Sequence, residues 1–190
     1  MTRTRERLRA SALRLFAELG FDGTTVQRIA QDAGVSHMTF FRHFPTKESV
    51  LFDDPYDDAI ASQVLAQDRR LPVLERVRRG LAGAWGQLPP SASEETRLRV
   101  RIVAEHRGLM ASAWSHNRRT GDLVVEALVL DGVDRFEARV ATGACLGALM
   151  EALFDWGAGP DDRDLGDVVL QALAVLGPGT GEPAPDGAAG

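Results

Sequence analysis

The side chains best suited to recognition chemistry lie in one stretch, Thr24 to Phe44, which reads TTVQRIAQDAGVSHMTFFRHF. Ser36, His37, Met38 and Thr39 bring two hydroxyls, an imidazole and a thioether together over four positions. No Ser/His/Asp order, paired-His metal spacing or Gly-rich phosphate loop accompanies them, so the set suits binding rather than catalysis. An imidazole such as that of His37 can donate to an acceptor on a guanine or adenine edge. The elements that must hold this set follow from the same stretch. Thr24 is expected to cap a first helix, with Gln27 reaching back to its amide as a capping box. Val26, Ile29, Ala30 and Ala33 recur on one helical face. Gly34 tolerates the left-handed geometry of a helix end. Ser36 can cap a second helix that turns Phe40 and Phe44 inward. Two short helices joined by a glycine-containing turn make a helix-turn-helix, whose second helix enters the DNA major groove by its N-terminal residues.

Other groups invite chemistry and have plainer readings. Asp53, Asp54, Asp57 and Asp58 could gather a metal, but helix-start chemistry explains them: Asp54 as a cap, Pro55 at the first position, two aspartates in the first turn. No metal or cofactor is implied. Arg97, Arg99, Arg101 and Arg107, with His106, could attract an anion. Alternation at 97, 99 and 101 splays the three around a helix, and a solvated face accounts for them. Cys145, the only cysteine, excludes a disulfide framework. It could sense oxidants, but on a stripe of small residues it reads as buried and inert. His106 and His116 stand ten apart with only Glu105 as a nearby acid.

The rest of the chain reads as helices. Leu8, Ala12, Leu15, Phe16 and Leu19 form one stripe ended by Gly20, and Arg3, Arg5, Arg7 and Arg9 open it as a solvated or phosphate-touching arm. Pro45, Thr46, Lys47 and Glu48 suit a helix start, with a break near Asp54. Leu74, Val77, Leu81, Trp85 and Leu88 form a stripe closed by Pro89-Pro90. Ser91 or Ser93 can cap a helix lined by Leu98, Ile102 and Val103 and ending near Arg107-Gly108. A helix over Leu109–Leu130 is expected to be interrupted near Gly121. Asp134 can cap a long helix from Arg135 to Trp156, and a last amphipathic helix runs from Asp161 to Leu176. The tail, GPGTGEPAPDGAAG, has no apolar periodicity and is expected to be disordered. The fold class is all-α, in three parts: a helix-turn-helix domain over 1–46, a helical effector-binding and dimerisation domain over 47–177, and the tail over 178–190.

Composition agrees with this partition. The net charge of -5 over 190 residues is unequally shared: residues 1–50 carry eight basic and five acidic side chains, a net +3, which leaves -8 for the rest. A basic head attracts phosphate while the whole molecule stays anionic. Lys47 is the only lysine. No apolar run approaches the roughly 18 residues of a membrane span, and the Arg-rich N-terminus lacks a secretory h-region, so a cytoplasmic location is expected.

Three motifs, LRLFAELGFDGTTV, QRIAQDAGVS and TFFRHFPTKESVL, resemble the tetracycline-repressor-like (TetR) family of transcription regulators. The resemblance covers about the first 50 residues; the remainder agrees in being helical and of suitable length. It implies a homodimer, usually a repressor, that binds operator DNA and a small effector. By position, it implies that Thr25 and Arg28 lie near the DNA backbone. Ser36, His37, Met38 and Thr39 would occupy the base-reading and phosphate-contacting end of the recognition helix, while Arg42, His43 and Lys47 would reach phosphate. Phe41 stands where the family usually has Tyr, so a hydroxyl contact is missing. Met38 replaces a frequent Gly and can touch a thymine methyl.

Trp85, Met110, Trp114, Met150, Phe154 and Trp156 jointly allow a largely apolar effector pocket, although each alone reads as core. Ala141, Ala144, Gly147 and Ala148, with Ala138 and Gly143, let helices approach closely and are expected at a dimer interface like the family's four-helix one; close packing inside one subunit is the competing account. A symmetric dimer predicts a palindromic operator. The rival class, a helical enzyme or a module that binds no DNA, is separated by salt-dependent duplex binding.

Overall fold

The structure is a computed structural model that describes residues 3–52, 57–85, 92–159 and 163–177. Those residues are helical with no strand among them. Helix α1 (Arg3–Leu19) buries Leu8, Ala12, Leu15 and Phe16, at spacings of four, three and one, and stops at Gly20, whose φ of 76° only glycine adopts cheaply. Helices α2 (Val26–Asp32) and α3 (His37–His43) follow.

The first cap differs from the expected one. Thr25, not Thr24, is the N-cap of α2, its hydroxyl accepting from the Arg28 amide at 3.2 Å. Thr24 is buried, and its hydroxyl lies 2.8 Å from the Gly20 carbonyl and 3.1 Å from that of Leu15. Its amide donates to the Phe21 carbonyl, so the capping box with Gln27 has no free amide to close on. Gly34 has φ 65°, and a Cβ there would meet the Arg7 guanidinium, which donates to the Ala33 carbonyl beside it. Ser36 caps α3 through the Thr39 amide at 3.1 Å, as expected.

Thr46 accepts from the Ser49 amide at 3.1 Å, but only a 3-10 turn over Glu48–Val50 follows, and its N-cap is Lys47, without a side-chain cap bond. Helix α4 (Asp57–Leu65) begins afterwards; the expected break at Asp53, Asp54 and Pro55 lies outside the described residues. Helices α5 (Val73–Trp85), α6 (Ala92–Ala104), α7 (Arg107–Leu130), α8 (Arg135–Ala158) and α9 (Leu165–Val175) complete the body. Ser93 lies inside α6, and Leu88 to Ser91 and the tail from residue 178 are outside the described residues.

Three boundaries in the body depart from the sequence reading. Helix α6 stops at Ala104, because His106 turns its ring back to cap α7: Nδ1 accepts from the Leu109 amide at 3.2 Å. Helix α7 runs unbroken past Gly121, where a Cβ would stand 3.3 Å from Leu146 Cδ1. That glycine allows α8 to pack closely and does not interrupt the helix. Helix α9 starts only at Leu165, capped by Asp164, since the Arg163 carbonyl before it accepts from Trp156 Nε1 at 3.0 Å.

Two apolar cores result. The head core joins Leu8, Phe16, Ile29, Phe40, Phe44 and Val50 to Ile102, Val103, Leu109 and Ala113 of α6 and α7. The body core unites Val77, Leu81, Leu128, Cys145, Trp156 and Leu173 from α5, α7, α8 and α9. Its edge is tied by Arg76, which is 2% exposed and donates to Asp131 at 2.7 Å. Asp131, also paired with Arg69, is held below the usual carboxylate range chiefly by the Arg76 hydrogen bond.

Candidate nucleic-acid interface and effector cavity

The head presents one exposed polar face. Ser36, His37 and Met38 stand in solvent at the open end of α3, with Met38 74% exposed. Thr39 is half-buried, and its hydroxyl lies 2.8 Å from Ser36 Oγ and 3.2 Å from Arg42 Nη2. The ring of His37 meets that of Phe41 edge-on at 4.9 Å. Phe41 in turn leans edge-on against Phe40, a fully buried ring, at 5.4 Å. His37 is thus linked through the partly exposed Phe41 to the buried Phe40. Thr25 and Arg28 lie exposed at the start of α2, beside this end of α3 in sequence and fold.

Two cationic positions are placed differently from their neighbours. Lys47 Nζ donates to the Phe21 carbonyl at 2.8 Å and the Thr24 carbonyl at 3.0 Å, and lies 4.0 Å from the Phe21 ring centroid. Two of its three donors hold the loop that sets Thr25 at the cap, which leaves one for a phosphate. His43 is half-buried and lines a groove between the head and α7, with Arg5 and Arg119. Arg42 is exposed, as a phosphate contact requires.

The head rests on the body through its first loop. His106, with Nδ1 already accepting, carries its hydrogen on Nε2 and donates to Asp22 at 3.2 Å. Its ring packs edge-on to Phe21 at 5.2 Å. Arg9 pairs with Glu95 at 2.8 Å.

Inside the body, α5, α6, α7 and α8 line a cavity of about 170 Å³ that stays partly open to solvent. Trp85, Met150 and Phe154 line it, as the sequence suggests. Met110 does not, because it packs on the head core. Trp114 faces a different groove between α7 and α8 and is 41% exposed, and Trp156 is fully buried in the body core. Of the polar lining, the sequence offers Arg99 only within a solvated arginine set, and Thr96, Asn117 and Thr120 not at all. Thr96 and Arg99 come from α6, and His116, Asn117 and Thr120 come from α7. A signal existed: 96, 99, 100 and 103 on α6, and 113, 116, 117 and 120 on α7, are each a single helical stripe. The arginines splay as expected. Arg97 lies 4.3 Å from the Trp156 ring centroid, Arg101 is exposed, and Arg99 alone of the three reaches the cavity.

Leu51 and Phe52, which directly follow the 3-10 turn, line the same cavity. Val103 and Ala113 belong both to its wall and to the head core. Cys145 is fully buried, and burial pushes its thiol up to about 11, which leaves little thiolate to oxidise. Among the described residues no group of three His, Cys, Asp or Glu side chains could hold a metal ion. No described helix is long and apolar enough to cross a membrane.

Ala141 is turned into the protomer's own core, with Ala138, Cys145 and Leu149, and so leaves the expected interface face. Ala144 is exposed, and Gly147 and Ala148 are half-buried. On α8 Phe136 is 77% exposed and Val140 about half so, and on α9 Leu170 is about half exposed.

A capped recognition helix on a three-helix head, joined to a helical body with an internal cavity, defines a helix-turn-helix regulator with a ligand-binding domain. Residues 8–53 match the family described as "Bacterial regulatory proteins, tetR family", and residues 71–181 match "MftR C-terminal domain". The chain belongs to the TetR family of transcriptional regulators, which are not enzymes. It is 29% identical over 175 residues to the transcriptional repressor AcnR of Corynebacterium glutamicum, covering 80% of this chain and 89% of that protein. It is 38% identical over 85 residues to the regulator TcmR of Streptomyces glaucescens, covering 45% of this chain. The chain spans 37% of TcmR's length and 18% of the length of a further curated relative. Among solved structures it is similar to Thermus thermophilus FadR, a TetR-family repressor in complex with lauroyl-CoA. That match has a TM-score of 0.52 at 27% identity and covers 98% of this chain and all of that one.

Proposed function

We propose that the protein is a homodimeric repressor that binds a palindromic operator through α3 and releases it when a small effector occupies the body cavity. The observation that carries the reading is the open end of α3. Ser36, His37 and Met38 are exposed there with Thr39 beside them, His37 rests edge-on on Phe41, which leans on the buried Phe40, and Arg42 lies one turn behind. Met38 and His37 read bases, and Ser36, Thr39, Thr25, Arg28 and Arg42 serve phosphates. Lys47 and His43 contribute mainly by position, Lys47 by holding the loop before α2.

Dimerisation is supported by the outer face of α8 and α9. Phe136, Val140 and Ala144 recur every four residues, and Leu170 and Val175 are exposed nearby in sequence on α9. A Cβ at Gly143 or Gly147 would meet nothing within 4 Å, so the protomer itself does not require glycine there. A second copy approaching closely would. Two heads would then sit in successive major grooves, roughly 34–36 Å apart.

Release by an effector is supported by the shared wall. A ligand against Leu51, Phe52, Val103 and Ala113 touches residues that also seat the head. It shifts the head only if it binds the two head spacings unequally. AcnR's description as a repressor and the acyl-CoA complex of FadR agree with a ligand-released repressor. The test is binding of the purified protein to the DNA flanking its own gene, at low and moderate salt. Tight, sequence-selective binding that weakens steeply with salt is the expected result. No duplex binding even at low salt would sink the reading.

A further inference from the structure

The cavity wall carries a charge, that of Arg99, with no ion pair among the described residues. Arg99 is half-buried, and its guanidinium Nη2 donates only a long bond, 3.4 Å, to Thr96 Oγ1. Among the described residues no Asp or Glu lines the cavity. Its neighbours on α6 are otherwise engaged, Arg97 on Trp156 and the Arg163 carbonyl, and Arg101 in solvent. Leu81, Leu149, Met150, Leu153 and Phe154 make much of the remaining lining apolar, beside the polar stripe of α7.

We propose that the effector is a compact monocarboxylic acid, with its carboxylate on Arg99 and its apolar body against α8. This rests on the effector-site reading above. The guanidinium fork matches a carboxylate with two parallel hydrogen bonds, and Asn117, on the facing stripe of α7, offers a further donor. A neutral ligand would leave the guanidinium facing hydrocarbon without an anionic partner. A dianion such as a phosphate monoester would bring more charge than one fixed cation balances. The volume sets the size. A cavity of about 150 Å³ holds a single aromatic ring, so about 170 Å³ takes one ring, or a chain of similar bulk, beside the carboxylate.

The experiment is calorimetric titration of the full-length protein with benzoate, phenylacetate, 4-phenylbutyrate and octanoate, each paired with its primary amide. At least one acid is expected to bind roughly tenfold tighter than its amide. Arg99→Gln is expected to erase that preference and leave amide binding within about twofold, while Arg99→Lys keeps part of it. Arg101→Gln removes an exposed charge from the same helix and is expected to keep the preference in full. Equal binding of acid and amide by the wild type, no acid bound below about 1 mM, or a preference that survives Arg99→Gln overturns the proposal. Loss of the preference in Arg101→Gln also overturns it, since bulk charge and not the pocket would be responsible. Operator binding is followed in the same samples. An acid bound through Arg99 without operator release retires the release mechanism and keeps the ligand class. Operator binding with no acid bound retires the ligand class alone.

Discussion

The head and the body are both helical, yet they are held by different physics. In the head, side chains bond to backbone at nearly every turn: Thr24 to the end of α1, Thr25 and Ser36 as caps, Arg7 on the Ala33 carbonyl, Lys47 on two loop carbonyls. Its chemistry is on the surface, and the interior only keeps that surface still. In the body the helices are long and are fitted by volume. A Cβ at Gly80 would fall 2.5 Å from Val64 Cα, and one at Gly157 would collide with Val100. Its chemistry is inside, in a space that packing leaves open. A short rigid reader and a long adaptable sensor place opposite demands on a sequence: polar bonds at fixed positions in one, complementary bulk in the other.

The comparison is broken most forcefully by a core truncation in each region. Phe40→Ala should cost about 3–5 kcal/mol and Leu128→Ala about 2–5 kcal/mol, since both side chains are fully buried. Thermal unfolding followed by circular dichroism should show one lowered transition for each, because α6 and α7 share the head core. Operator affinity at a temperature where both variants are folded should collapse only for Phe40→Ala. Equal loss in both would mean that the head does not stand on its own aromatic stack.

At the next level, Phe136→Glu should leave a monomer where the proposed dimer is expected in sedimentation experiments, at a cost of about 2 kcal/mol or more in association. Operator binding should weaken with it, since a lone head loses its partner's groove. An unchanged dimer would move the interface off the outer face of α8.

Within the head, Arg42→Ala should weaken binding to every duplex and reduce the salt slope by about one. Lys47→Met should mainly destabilise the head and change the slope less, because most of its donors are already used. His37→Ala or Met38→Ala should instead alter base preference, by about 1–3 kcal/mol at one position. Identical behaviour of all four variants would erase the division between positioning and reading residues.

The smallest effect belongs to the body surface. Arg78 and Arg79 hold the Glu75 carboxyl down to about 2, below its ordinary 4.5. Its contribution is therefore complete above pH 4.5 and is lost as the pH falls towards 2. Glu75→Gln should cost about 1 kcal/mol or less at neutral pH and flatten the stability curve in that acid window.

The contrast also explains what could be read from the chain. The head's turns are local, so Gly34 and Ser36 declare themselves by spacing alone. Thr24 and Thr25 are not told apart by spacing, because adjacent threonines are equally able to cap. What distinguishes them is a carbonyl at the end of α1, which no local pattern reveals. In the body, helix existence was legible from stripes, but Gly121 looked like a break until α8 was laid against it. The cavity was half legible. Aromatic and sulfur-bearing residues mark part of the lining, while Arg99 reads as one of a solvated set, because a charged residue on an amphipathic helix ordinarily marks the wet side, and Thr96 gives no sign at all. Met110 and Trp114 sit on the same helix as the true lining residues, rotated out of it by where the head and α8 press.

The lysine that pins the first loop has a practical consequence. It carries the only side-chain amine in the protein, and in the folded head that amine is clasped by two carbonyls over an aromatic ring. An acylating reagent must first lift it away. The extent of acylation at this single address, read by mass spectrometry, would then count how often the reading head comes loose, with no label or engineered reporter added.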